Sequence, residues 1–434
     1  MGRRDEPPRL DGGGFAAWSR DRLACARRGA EECGDVWQLE PGVYVASAAA
    51  ECEAVLRRAR DFPKASAPLF PPLRRSDGGA PTREERSYAH AARMRGLRAQ
   101  AVAARTGRIA PRTARFAEQW PDGEDVEVLP LVRHALADIG VHYLFSEDAP
   151  LLLPHAAGLF LAREALVQPS RWVWPRWVPT PARRFRTRQQ TAFTDALRPV
   201  VRRRRSSGLL GDDLLGQILQ PSPHHGLLPE QAVLDTLPGI TVATFETPTR
   251  AAGWILLQLA RHPEAADRVA AEAGSLPADP AATTGAHLGG LRYTQALVSE
   301  VLRLYPPSWL LTRQVARRTR LAEYTLDAGS TVLVCPYTAQ RDPREYAEPD
   351  AFRPERWLHE EGTPSGDGVF LSFGTGPHGC EGTALAMTML TLLTAQTARR
   401  HRLSEPAGPR PSHQVTTLEG LATAGLRLRA TARG

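Results

Sequence analysis

Residues 370–386 read F-L-S-F-G-T-G-P-H-G-C-E-G-T-A-L-A, and this stretch decides the fold. Four glycines, a proline and a histidine surround one cysteine, Cys380, and an Ala/Leu/Met-rich run follows directly. Glycines at 374, 376, 379 and 382 permit left-handed backbone and let N–H groups turn toward the sulfur. A helix starting just past Cys380 aims its positive end at the same atom. Such a nest suits an anionic thiolate on a metal. The glycines also admit a flat macrocycle close to the backbone, and His378 is placed to donate to a carboxylate at its edge. The competing reading is a glycine-rich turn before a helix with an inert buried thiol.

Composition bounds the rest. The chain has 434 residues, net charge +8 and 42% hydrophobic residues, enough for a packed interior in one large domain or two. No stretch nears the ~20 apolar residues that a bilayer crossing needs. The start, M-G-R-R-D-E-P-P-R-L, lacks the apolar run of a secretory signal. A soluble, cytoplasmic protein is expected. Cys25, Cys33, Cys52, Cys335 and Cys380 are scattered and never form C-x-x-C, against a disulfide framework or a zinc ribbon. Lys64 is the only lysine among 55 basic residues. The arginines are spread along helices among acids, and the one dense cluster, 202–205, reads as a solvated loop. Nucleic-acid binding is therefore not expected.

The fold class expected is mainly α with a minor β-sheet. Residues 1–12 read as unstructured. V-W-Q-L-E-P-G-V-Y-V-A-S (36–47) reads as two strands around a P-G turn. From about Ala50 to Trp309 apolar residues recur at helical spacing. R-W-V-W-P-R-W-V-P-T-P (171–181) reads as an irregular connection. The run from Leu228 to Pro263 is apolar on most faces, as in a buried central helix. Short strands follow Pro306, and no linker or repeat divides the chain.

F-G-T-G-P-H-G-C-E-G resembles the haem-ligand segment of cytochromes P450, F-x-x-G-x-x-x-C-x-G with His or Arg two residues before the cysteine. Phe373, Gly376, His378, Cys380 and Gly382 carry the match. Q-A-L-V-S-E-V-L-R-L-Y-P-P resembles the family's E-x-x-R helix through Glu300 and Arg303, and F-R-P-E-R-W supplies Phe352, Pro354 and Arg356. The resemblance covers nearly the whole chain. It looks closest to soluble bacterial members of terpene and other secondary metabolism.

The resemblance implies a single haem domain over 1–434 without a fused reductase. Haem b would lie between the central helix and the cysteine loop, with iron on the Cys380 thiolate and Phe373, Gly374 and Gly382 around it. Glu300, Arg303 and Arg356 would form a network behind the haem. Arg313 would reach a propionate. Near the N-terminus the family carries a W-x-x-x-R or H-x-x-x-R grip on the propionates, and S-Y-A-H-A-A-R-M-R-G-L-R offers His90, Arg93 and Arg95. His90 and Arg95 are the expected pair. Substrate contacts are expected from Ala243, Thr244, Phe245, Trp309 and Leu310.

The implied activity is a monooxygenase inserting one atom of O2 into an apolar small molecule, most simply by C–H hydroxylation. A monomer served by a separate ferredoxin and ferredoxin reductase is expected. Three departures open other readings. The oxygen-activating motif, A/G-G-x-D/E-T-T/S, appears as A-T-F-E-T-P, keeping Glu246 and Thr247 as proton donors. Thr244 replaces glycine. Pro248 removes an N–H and clashes with the Thr244 carbonyl, costing about 3 kcal/mol in a regular helix. Glu381 replaces an apolar residue beside the ligand, where a charged carboxylate would disfavour reduction of the iron. The alternatives are non-oxygenase chemistry on the same fold (cyclisation, coupling, dehydration or peroxide-driven reaction) and a non-catalytic haem-binding partner.

Overall fold

The computed structural model describes residues 6–12, 14–64, 83–167, 180–221, 226–358, 369–407, 414–416, 420–423 and 425–433. The connection at 168–179 lies outside these residues, as do residues 1–5 of the N-terminal segment. The rest of that segment is not loose. The Pro8 carbonyl accepts from the Gln38 N–H at 2.8 Å, Arg9 bridges to Gln38, and Leu10 is buried.

Helices dominate, and one orders the others. The central helix runs over Glu230–Arg261. At 1.5 Å per residue its 32 residues span about 48 Å. It is apolar on most faces because it is buried on most faces, Ile255, Leu256 and Leu257 among them. It continues through Pro238 and Pro248, each of which leaves the carbonyl four residues earlier without its helical donor. Against it pack the helices Val128–Phe145 and Thr383–Arg400. The contact with the first is close because Gly140 faces Thr244. A Cβ on Gly140 would stand 2.5 Å from the Thr244 hydroxyl oxygen. The threonine that departs from the family motif thus has a glycine cut for it on the facing helix.

The main sheet has four strands in the order Val36–Glu40, Val43–Ala46, Thr331–Val334 and Leu311–Gln314. The first pair is the hairpin expected around Pro41–Gly42, with Gly42 at φ 74°. Val43–Ala46 runs parallel to Thr331–Val334, which pairs antiparallel with Leu311–Gln314 and so places Arg313 opposite Val332. A second sheet joins Asp125–Glu127, Arg427–Ala432 and His401–Ser404.

The arginine cluster expected as a solvated loop closes a helix, Pro181–Ser207. Arg204 is buried, with its guanidinium on Asp148 (2.9 Å) and Asp213 (2.7 Å). Helical spacing turns one arginine of the run inward, and two carboxylates neutralise it, one 9 residues onward and one 56 residues back.

Gly140→Ala is expected to destabilise the protein by about 1–3 kcal/mol through overpacking. An alanine at an uncrowded helical position gains stability instead. Thr244→Gly in the same chain should recover most of the loss. Equilibrium denaturation of the single and double variants measures this coupling.

Candidate functional site

The network behind the cysteine loop is built around Glu300. Glu300 and Arg303 lie on helix Arg292–Leu304, and both side chains are 0% exposed. Arg303 meets the carboxylate edge to edge at 2.8 and 2.8 Å. The Arg353 N–H (2.9 Å), Arg356 Nε (3.1 Å) and Trp357 Nε1 (2.9 Å) complete the shell. Arg303 spends its remaining donors on the carbonyls of Gln340, Pro349 and Ala351. Burial pushes the Glu300 carboxyl up, but Arg303 and the other donors outweigh it and hold it below the usual range.

Gln340 carries this network forward. Its Nε2 donates to the Arg303 carbonyl at 2.9 Å. Its Oε1 accepts from the Leu371 N–H at 2.6 Å and the Ser372 hydroxyl at 3.1 Å. The cysteine loop therefore starts from a fixed point. Within it the Cys380 N–H donates to the Phe373 carbonyl at 2.8 Å, and Gly374 and Gly376 take φ of 66° and 70°. At Gly376 a Cβ would fall 2.8 Å from the Leu56 carbonyl oxygen, so glycine is required twice over there. Helix Thr383–Arg400 begins three residues after the cysteine.

The Cys380 sulfur opens into a cavity of about 430 Å³ between this loop and the central helix. Phe373, Gly374, His378 and Gly382 line it from the loop side, and Ala243, Thr244, Thr247, Pro248 and Ala251 from the helix. Burial pushes the Cys380 thiol up, and Glu381 adds to that. The Gly382 N–H, the Thr383 hydroxyl and Lys64 oppose them without reversing the shift. The Gly382 N–H of the nest read from the glycines is turned to the sulfur, and the thiol is exposed to the cavity.

At one side of the cavity stand Arg313, Lys64 and His378. Arg313 is buried. Its Nη1 bonds only its neighbour's carbonyl, that of Thr312, at 3.0 Å, and its Nε has no partner among the described residues. Desolvation lowers its pKa, and Lys64 and His378 are lowered by the same cause and by the cations beside them. An orphaned guanidinium donor beside a lysine, at an open slot over a cysteine, fits a macrocycle that carries carboxylates.

Several expected residues sit elsewhere. Arg95 donates to the Gln217 carbonyl at 2.9 Å, outside the cavity. His90 faces Glu381 (Nδ1 to Oε1, 2.7 Å), as does Arg93 through Nε at 2.9 Å and Nη2 at 3.0 Å. Burial pushes the Glu381 carboxyl up, but Arg93 and His90 hold it below the usual range. Glu246 is buried away from the cavity, bound by Arg163 and Arg250. Phe245 packs on Phe160 (6.1 Å) and Trp309 on Trp18 (5.5 Å), and Leu310 is buried with them in the core. None of the three lines the cavity, because both segments turn these larger side chains inward. Their small or polar neighbours Ala243, Thr247, Pro307 and Ser308 face it instead. Sequence reading missed Gln340 and Arg163, which carry no local signal. Lys64 carried one, as the only lysine in the chain.

The cytochrome P450 family model matches residues 155–426, well over half of the chain. This chain belongs to the cytochrome P450 family. The P450 is 30% identical to a cyclooctat-9-en-7-ol 5-monooxygenase of Streptomyces melanosporofaciens, over 71% of this chain and 68% of that protein. It is 32% identical to a pentalenene oxygenase of Streptomyces avermitilis, over 59% of this chain and 57% of that one. The chain thus spans little over half the length of the second relative. In structure it is similar to the haem domain of cytochrome P450DA (TM-score 0.82, 19% identity, covering 99% and 98% of the two chains). A retinoic-acid-bound cyanobacterial P450 is similar too (TM-score 0.79, 18% identity, covering 99% and 100%). At those identities the likeness speaks for the fold. The family's cofactor is haem on a cysteine thiolate. Among the described residues no helix is long and apolar enough to cross a membrane.

Two measurements check the site. Glu300→Ala strips the partner from a fully buried arginine and should cost about 3–5 kcal/mol. A carboxyl whose folded pKa lies below its unfolded one, about 4.3, stabilises above that pH. The contribution is lost as pH falls through the folded value. Wild type should therefore lose stability more steeply than Glu300→Gln on acidification below about pH 4.3. Separately, Arg93 offsets the charge of Glu381 beside Cys380. In a redox titration Arg93→Gln should lower the iron's potential and Glu381→Leu should raise it.

Proposed function

We propose that this P450 inserts one oxygen atom from O2 into an apolar small molecule, by C–H hydroxylation of a polycyclic terpenoid. The observation that carries the reading is the Cys380 sulfur facing, across an apolar-walled cavity, the Thr247–Pro248 turn of the central helix. Both bacterial relatives are named for oxygenation of such compounds. Haem bound here on Cys380 supplies the activation of O2. Phe373, Gly374 and Gly382 shape its seat, and Arg313 and His378 hold its carboxylates. Ala243, Thr244, Thr247 and Ala251 bound the space for substrate, and their small size leaves room for a bulky apolar skeleton.

Thr247 is the residue we assign to proton delivery. No hydrogen-bond partner for its hydroxyl appears among the described residues, whereas Thr244 and Thr249 turn theirs back to helix carbonyls at 2.7 and 2.6 Å. Pro248 leaves the neighbouring Thr244 carbonyl without its helical donor, which gives a water beside Thr247 a fixed acceptor. Glu246 supplies protons only by exchanging its arginine partners for water. That sequestration favours a second reading, in which the P450 uses peroxide or performs non-oxygenase chemistry without this route. Electrons would come from a separate ferredoxin and its reductase in the cytoplasm, drawn to a basic face around the cysteine loop. The chain would act as a single-domain monomer.

The reduced protein under carbon monoxide should show the red-shifted band of a thiolate-held haem, and Cys380→Ala should lose it. With a ferredoxin, its reductase, NADPH and a panel of cyclic terpenes under labelled O2, one labelled atom should enter the product. Thr247→Ala should lower coupling of NADPH to product by about 10²-fold. Unchanged coupling in Thr247→Ala, with turnover supported by peroxide, would favour the second reading.

A further inference from the structure

We propose that the Ser308 hydroxyl binds an oxygen function of the substrate, so that the skeleton oxidised here arrives already carrying a hydroxyl or a carbonyl. The inference rests on the cavity over Cys380 being the substrate site, and it narrows an apolar substrate to one with a polar group at a fixed place.

The hydroxyls on the cavity wall differ in what they hold. Thr244 donates to the Thr241 carbonyl at 2.7 Å, and Ser372 donates to the Leu302 carbonyl at 2.7 Å. Both are satisfied within the protein. Thr247 and Ser308 also line the cavity and have no hydrogen-bond partner among the described residues. Neither oxygen is among the enclosed orphans, so both open to the cavity space. Thr247 lies beside the Pro248 turn and is assigned to proton delivery. Ser308 comes from a different element, the connection between helix Arg292–Leu304 and strand Leu311–Gln314, and has no part in that route. Around the same space stand Ile240, Ala243, Ala251 and Leu311, whose side chains offer it no hydrogen bond.

The serine is held still. Pro306 and Pro307 precede it and fix φ on that side. The Pro307 carbonyl accepts from the Leu421 N–H at 3.0 Å. Trp309, the next residue, is buried against Trp18 at 5.5 Å. Strand Leu311–Gln314, which follows, is paired with Thr331–Val334. A hydroxyl on so constrained a backbone loses little freedom when it binds. Water can serve it while the cavity is wet. An apolar skeleton that fills the cavity displaces that water, and a buried hydroxyl left without a partner costs free energy. A substrate oxygen at that place restores the bond, and a hydrocarbon cannot. An alcohol can accept from the serine or donate to it, and a carbonyl accepts from its O–H. The reaction that supplies this substrate must therefore leave an oxygen on the skeleton, by an earlier oxidation or by addition of water.

The test uses the haem-loaded wild type, Ser308→Ala and Thr247→Ala, each first shown to give the thiolate–CO band. Absence of that band from wild type would overturn Cys380 as ligand, which is a different failure. Matched sets are then titrated, each a polycyclic terpene hydrocarbon with its monoalcohols and its ketone. Binding is read by calorimetry and by the ferric absorption spectrum. It needs no turnover, so an oxygenase reading that fails under labelled O2 leaves this result standing. In at least one set the affinity of an alcohol or ketone relative to its hydrocarbon should fall about tenfold in Ser308→Ala. Dependence confined to alcohols assigns a hydroxyl, and dependence shared with the ketone assigns an acceptor oxygen. A relative affinity that moves less than about twofold in Ser308→Ala across every set overturns the proposal. A drop seen in Thr247→Ala and not in Ser308→Ala overturns it in favour of the other open hydroxyl. Failure of every member to bind overturns the substrate reading on which the inference rests.

Discussion

One buried carboxylate holds the haem side of this P450 in place. Glu300 has no contact with water and accepts from Arg303, Arg353, Arg356 and Trp357. A lone buried charge is costly, so this carboxylate forces its donors to assemble around it. They come from the helix Arg292–Leu304 and from the segment 353–357, which folds over it. The guanidinium it recruits then demands carbonyls of its own, and finds them at Gln340, Pro349 and Ala351. Gln340 passes the constraint to Leu371 and Ser372, where the cysteine loop begins. The position of Cys380 is therefore inherited from an ion pair that never meets the cavity.

Glycine does the rest of that positioning. Gly376 allows the loop to close on Leu56 and Arg57, and Gly374 turns it back so that the Cys380 N–H reaches Phe373. The same economy appears on the central helix, where Gly140 opposite Thr244 absorbs the extra bulk. Thr244 directs its hydroxyl to the Thr241 carbonyl, so the departure from the family's glycine is accommodated largely within the helix pair.

The charges at the cavity are of two kinds. Glu381, Arg93 and His90 form a compensated cluster, while Arg313 and Lys64 have no ion pair among the described residues. The motif acid Glu246 is likewise compensated, by Arg163 and Arg250, and is withdrawn from the cavity. Charges that are paired within the protein are structural. Those left unpaired are where the molecule expects a ligand.

What the sequence determined by itself is what adjacency determines. The cysteine loop, the E-x-x-R helix, the hairpin at 36–46 and the long apolar helix are local patterns, and glycine conformation, helical spacing and a P-G turn write them into neighbouring residues. Which of two adjacent side chains faces a cavity was not legible, because it depends on helix phase against partners remote in the chain. Phe245 and Trp309 were therefore expected in the pocket and lie in the core, while Pro307 and Ser308 face the space. The partners of charged groups were equally hidden. Glu381 meets Arg93 across 288 residues and Lys64 sits beside Arg313, and no local pattern encodes either meeting. Only the tertiary structure decided them, since Coulomb energy and desolvation follow distance in space rather than distance along the chain.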